Sequence, residues 1–175
     1  MKKKIFFGGI GGVFLTIAGL MLYDMSKMEI EVLMLCSTNR GGILIPSDLC
    51  KYYLVNYRIN EKGIKELSEG GGLDVVLNIE ESAAEYELAK MFLARGLDVD
   101  GANHAGGKDV TPLQAAVMYN DVRRVNFLLE YGANIHLSEG YGMTPIDIAR
   151  KFHKAGSELE DRSEIIQILS DAEKP

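Results

Sequence analysis

The sequence predicts an all-α protein: a solenoid of short helix–turn–helix units with short hairpin loops, preceded by an apolar N-terminal helix that exports or anchors it. Three observations carry this. The pair Thr111-Pro112 returns as Thr144-Pro145, 33 residues later, each time followed by an apolar residue and then, three further on, by Ala. Apolar residues after each pair recur at helical spacing. Lys2, Lys3 and Lys4 precede Ile5 to Leu22, a run of eighteen uncharged residues.

That run is the first element. A positive start followed by an apolar core is the secretory pattern, and its length approaches the lower limit for spanning a bilayer, so residues 1–23 read as a signal peptide or a membrane anchor. Either way the body is expected across the membrane, in the periplasm or attached to the inner membrane with a periplasmic body. An internal start at Met21, Met25 or Met28 would yield a leaderless cytosolic form. Gly8 and Gly12 form a GxxxG within a Gly-rich run, and the Gly-Lys-Ser/Thr of a phosphate loop is missing, which excludes nucleotide binding there.

Residues 24–46 read as a linker, with "MEIEVLMLCS" a strand or a short helix and "TNRGG" a turn. Ser47 is a candidate N-cap for a helix over "PSDLCKYYLVNYR", and "NEKGIKELSEGGG" for a second helix ended by glycines. Pro46 lies 66 residues before Pro112, twice 33, so 47–72 is either a degenerate repeat or a helical cap. The clearer repeats span about 73–105, 106–138 and 139–172. In the first, "LDVVLNI" supplies the leading helix, with a strand as the other reading. Phe92, Leu93 and Gly96 match Leu128, Leu129 and Gly132 at an offset of 36.

The middle repeat is the most regular. Thr111 can accept from the free N–H groups of a first helical turn, and Pro112 suits the first helical position because it has no N–H to leave unpaired. Leu113, Ala115, Ala116 and Val117 make a short helix that Asn120-Asp121 ends. Val122, Val125, Leu128 and Leu129 form the apolar face of a second helix, with Arg123, Arg124, Asn126 and Glu130 expected on its wet side. Gly132 is expected to close it in the left-handed region. Thr144 to Ala149 restart the first helix, and Ile165, Ile168 and Leu169 repeat the second after a seven-residue insertion around His153 to Asp161. Two helices this short cannot bury their apolar faces alone, so the unit needs copies of itself.

"TPLQAA", "LLEYGANIH" and "GYGMTPIDIA", with the 33-residue spacing, resemble the ankyrin repeat and its Thr-Pro-Leu-His-x-Ala signature. The departures are Gln114 for the usual His, Asp109 for the turn Gly, and three extra residues in "DGANHAGGK". The resemblance implies curved stacks that bind proteins through hairpin tips and the exposed side of the first helices. Carried over by position, the surface comprises Asn103, His104, Lys108, Val110, Met118 and Tyr119 in one unit. The next offers Ser138, Tyr141, Met143, Lys151 and Phe152. Tyr119 and Tyr141 are expected exposed, since interfaces concentrate Tyr; Met118, Met143 and Phe152 either join them or fill space between repeats.

No catalytic constellation is present. His104, His136 and His153 are scattered, His136 at a hairpin position that serves turn hydrogen bonds. HExxH, GxSxG and CxxC do not occur, so neither an enzyme nor a metal or cofactor site is expected. Cys36 and Cys50 are small apolar residues in a reducing compartment, whereas export would permit a disulfide. Net charge is −6, and residues 1–23 hold three lysines and no acid, so the body carries −9. An acidic body disfavours nucleic acid and anionic lipid and favours a basic or neutral partner.

The layout as a whole, with export segment, short linker and about three repeats, is similar to that of the immunity proteins of type VI secreted lipase effectors. This resemblance implies an exported inhibitor, a monomer before binding, that captures a secreted lipase or phospholipase toxin. A membrane-anchored or periplasmic scaffold for envelope proteins is the other reading.

Overall fold

Ten α-helices and one π-helical turn account for the regular structure of the described residues. The structure, a computed structural model, describes residues 2–79, 83–104, 107, 109–154, 156 and 160–174, with side chains placed in these except at 2–11, 83 and 84. The chain divides into two units, Met1–Arg58 and Ile59–Pro175.

The first unit holds α1 (Lys2–Lys27), α2 (Ile30–Ser37), α3 (Ser47–Tyr53) and the π-helical turn Leu54–Arg58. "MEIEVLMLCS" is thus a helix: the face bearing Ile30, Leu33, Met34 and Cys36 is buried against α3 and the turn. Met25 and Leu54 join this core, and Arg58 donates from Nη1 to the Met28 carbonyl at 2.6 Å. Ser47 is not the N-cap. Pro46 holds that position in an extended conformation with no side-chain bond, and Ser47 is already the first helical residue. The reason is the fixed φ of proline, which suits the extended cap as well as the first turn. Pro46 therefore sits one place earlier than Pro112 and Pro145. Among the described residues no helix is long and apolar enough to cross a membrane; the apolar run of α1 begins at Ile5, ahead of the first placed side chain.

Cys36 and Cys50 are joined as a disulfide with a Cα–Cα distance of 5.8 Å, both sulfurs belonging to buried residues. A closed loop of this size limits the unfolded chain by about 3 kcal/mol in the chain-entropy picture. Freshly isolated, denatured protein is expected to show no alkylatable thiol until reduced. Two thiols labelled before reduction would rule the bond out.

The second unit begins with α4 (Glu61–Glu69), capped by Asn60, whose side chain accepts from the Gly63 N–H at 3.0 Å. Three pairs follow: α5 (Gly72–Leu77) with α6 (Ala83–Leu93), α7 (Pro112–Met118) with α8 (Val122–Glu130), and α9 (Pro145–Phe152) with α10 (Ser163–Ala172). "LDVVLNI" is helical. The first helices α5, α7 and α9 pack in a row, and α8 packs on α10. The unit boundary falls inside 47–72: α3 packs on α2, whereas α4 packs on α5.

The helix starts follow from local chemistry. Thr111 and Gln114 form a reciprocal box, Gln114 N–H donating to Thr111 Oγ1 at 3.2 Å and Thr111 N–H to Gln114 Oε1 at 3.1 Å, with Pro112 next to the cap. Thr144 accepts from Asp147 N–H in the same way, and Asp121 caps α8. Gly96 and Gly132 follow α6 and α8 with φ of +95° and +83°. Leu113, Val117, Val125, Leu128, Ile148, Ile165 and Leu169 fill the core. Across the second helices, Phe127 meets Tyr86 edge-on at 4.9 Å between ring centroids and Tyr131 at 4.8 Å.

Arg124 is the clear correction to the expected wet face of α8, since it is buried. Its Nη2 donates to the Leu77 carbonyl at 2.7 Å and its Nη1 to Asn78 Oδ1 at 3.0 Å, so the guanidinium closes the C-terminus of α5. Asp121 Oδ2 lies 3.5 Å from Nε, and Asp74 Oδ1 4.0 Å from Nη1. Arg162 does the same one repeat later, donating to the carbonyls of Val117, Met118 and Phe152 at 3.2, 2.9 and 2.8 Å. A delocalised cation at two helix C-termini answers both the free carbonyls and the negative end of the helix dipoles.

Candidate binding surface

Successive loops approach one another by their backbones, which fixes the groups they carry. The Asn103 N–H donates to the Val110 carbonyl at 2.9 Å, an isolated antiparallel bridge at the base of the long hairpin. His104 N–H reaches back to the Gly70 carbonyl at 3.1 Å. Gly140 sits against the far strand of that hairpin: a Cβ there would stand 2.7 Å from the Asp109 carbonyl oxygen, and φ is +72°. No side chain other than hydrogen fits. Asp100 accepts from the Asn134 N–H at 2.9 and 3.2 Å, and Asn134 Oδ1 from the His136 N–H at 2.9 Å, so the turn bond belongs to Asn134 and only the backbone of His136 takes part. Gln114 Nε2 donates to the carbonyls of Leu137 and Met143 at 3.4 and 3.0 Å, tying α7 to the next loop. The glutamine that departs from the repeat signature is therefore a cap and a loop clamp at once.

Two clusters of the expected surface residues result. In the first, Asn103, Val110, Met118, Tyr119 and Tyr141 line a cavity of about 180 Å³ together with Asp74 and Ala115. Tyr119 is 72% exposed. Tyr141 is not exposed as expected but half-buried, in the loop where Gly140 lies close against the Asp109 backbone. In the second cluster, Lys151 Nζ lies 3.8 Å from the Met143 sulfur and 5.8 Å from the Phe152 ring centroid. Phe152 is 42% exposed, and the Arg162 guanidinium approaches its ring at 6.0 Å. Ser138 is exposed on the loop between them. His104 Nδ1 and Asp109 Oδ1 are 2.7 Å apart on the hairpin, both largely in solvent. Lys108 lies outside the described residues.

Asp74 was not among the expected surface residues. It is buried, its Oδ2 accepting from Asn103 Nδ2 at 2.8 Å and its Oδ1 from Asn78 Nδ2 at 3.0 Å. An acid among the apolar residues Leu73, Val75, Val76 and Leu77 was the available signal. Tyr119 also borders a second, more polar hollow of about 640 Å³, with Asn78, Glu85, Tyr86, Asp121, Arg123 and Arg124, and Arg123 lies over the Tyr86 ring at 5.0 Å. Among the described residues no group of three or more His, Cys, Asp or Glu could hold a metal ion.

Asp100 and Asp161 are shifted in opposite directions. Burial raises Asp100 above the ordinary value, with the Asn134 N–H opposing. Hydrogen bonds from Ser163, side chain first and then backbone, hold Asp161 below it. A lowered carboxyl adds stability that is complete above its unfolded pKa and disappears as pH falls through the folded value. Asp161→Ala is therefore expected to melt below the wild type at neutral pH, with the gap closing below about pH 4. An equal gap at every pH would show that the Asp161 charge contributes nothing.

Residues 113–154, covering α7, α8 and α9, match the family model described as ankyrin repeats (many copies). The chain is also similar to the ankyrin repeat protein YahD of Escherichia coli (strain K12), 40% identical over 60 residues, or 31% of this chain and 28% of that protein. Over 67 residues it is 33% identical to the ARF GTPase-activating protein Git of Drosophila melanogaster, covering 38% of this chain and 9% of that one. Alpha-latrotoxin-Lg1a of Latrodectus geometricus is 31% identical over 65 residues, covering 37% and 5%. The chain thus spans less than a third of the length of each of these relatives. Ankyrin repeats are in general protein-interaction modules without catalytic activity.

Proposed function

We propose that this protein is an exported immunity protein, which binds a secreted lipase-type effector through the long hairpin and the first helices and blocks it by occlusion. The observation that carries the binding face is the cavity beside Tyr119: an exposed aromatic side chain next to a recess whose walls come from three successive repeats. Backbone contacts hold those walls, so little ordering entropy is lost on binding. Export is supported by Lys2 to Lys4 ahead of the apolar run of α1 and by the Cys36–Cys50 pair, since disulfides persist in oxidising compartments. Inhibition by occlusion leaves both proteins covalently unchanged.

The test is the pair Tyr119→Ala and Tyr141→Ala, assayed against a secreted lipase-type effector. The expected result is a melting temperature close to wild type and binding at least tenfold weaker, about 1.4 kcal/mol or more. Cells carrying the double variant become sensitive to the effector at normal protein levels. Full protection with unchanged affinity would place the partner elsewhere.

A further inference from the structure

Resting on that reading of the face, we infer that the recess between Tyr119 and Tyr141 receives one basic side chain, a lysine or an arginine, from the partner. Its walls suit the methylene stem of such a residue: Val110, Ala115 and Met118 are apolar, and long basic side chains lay their stems on apolar surface while the charge seeks polar company. Two tyrosines, Tyr119 and Tyr141, border the recess, and a tyrosine ring attracts a cation placed over its face. Among the described residues, the charged residue lining the recess is Asp74.

Asp74 is held ready to receive a cation. Asn103 and Asn78 each donate one hydrogen bond to it, one per oxygen, which fixes its orientation and leaves further lone pairs. The nearest guanidinium, that of Arg124, stands at 4.0 Å, beyond hydrogen-bond distance, and spends its Nη groups on Leu77 O and Asn78 Oδ1. A buried carboxylate whose closest cation is committed elsewhere gains from a direct, charge-assisted partner. The cavity measures about 180 Å³. That is room for one long side chain, and too little for a helix or a strand. The charge of the body agrees, since −9 outside residues 1–23 draws a basic surface toward it.

The probe is a library of random peptides displayed on phage and selected against the full-length chain. Peptides retained on the wild type and lost on Tyr119→Ala are expected to share one fixed Lys or Arg. Replacing that residue by norleucine in the synthetic peptide should weaken binding at least tenfold; this change leaves the protein untouched, so no folding defect can imitate it. Asp74→Asn should weaken the same peptide to a similar degree and abolish the salt dependence of binding contributed by that side chain, with the melting temperature monitored alongside. Selection of an apolar residue at the Tyr119-dependent position, no fixed basic residue, or a norleucine peptide that binds as well would overturn the basic-side-chain inference while leaving the binding face intact. Peptides indifferent to both Tyr119→Ala and Tyr141→Ala would count against the face itself.

Discussion

Replacing Leu128 with alanine is expected to destabilise the second unit by about 2–5 kcal/mol. The side chain is fully buried on α8, the helix that packs against both α7 and α10. Its removal opens a hole that two neighbours on different repeats must share, so collapse of one side cannot fill it. Repeats of this size stand only by stacking, and the loss should appear as one cooperative transition of the whole unit, shifted to lower denaturant with little change in slope. Urea unfolding followed by circular dichroism measures it. Leu129→Ala, on the half-buried neighbour, serves as the control and should cost less. A shift below about half a kcal/mol at Leu128 would mean that α8 does not lie between repeats as described.

The second large effect is expected at Arg162. Its guanidinium is buried and donates to the carbonyls of Val117, Met118 and Phe152, the last turns of α7 and α9. Arg162→Met keeps much of the stem volume and removes every donor. Each buried acceptor left alone costs roughly 1–3 kcal/mol, less where water reaches it, so a loss on the order of 2–4 kcal/mol is expected. Lysine should recover only part of this, because an ammonium cannot present a planar fork to carbonyls on two helices. Equal stability of the Met variant and the wild type would reduce the clasp to an incidental contact. Unlike the Leu128 change, this one should also loosen the surface: Met118 lines the cavity beside Tyr119, and its carbonyl is one of the three that Arg162 holds.

The helices of the repeat region were legible from local pattern. Thr111-Pro112 and Thr144-Pro145 mark helix starts because a hydroxyl three residues from an N–H closes a cap whatever surrounds it. Gly96 and Gly132 mark the ends because glycine enters the left-handed turn without a Cβ penalty. The apolar spacing of Leu113 to Leu129 set which faces would be buried. Asn103, Val110, Met118, Tyr119 and Tyr141 were named from the repeat register, because similar units present similar positions, and they line one cavity.

What the tertiary structure alone decided is the fate of the polar groups that interrupt that pattern. Arg124 follows Arg123 in sequence and looked equally wet, yet one stacks on the Tyr86 ring and the other donates to Leu77, 47 residues away. Asp74 interrupts an apolar helix, and its partner Asn103 is 29 residues off. Gln114 reads as a lapse from the repeat signature until Leu137 and Met143 are brought to it. Tyr141, expected in solvent, is half-buried at the cavity it lines with Asn103 and Val110. Helix caps and apolar faces involve residues within four positions of one another, so sequence spacing determines them. A buried polar side chain is tolerated only where partners from other elements satisfy it, and which carbonyl or carboxylate arrives there is known only when the helices have stacked.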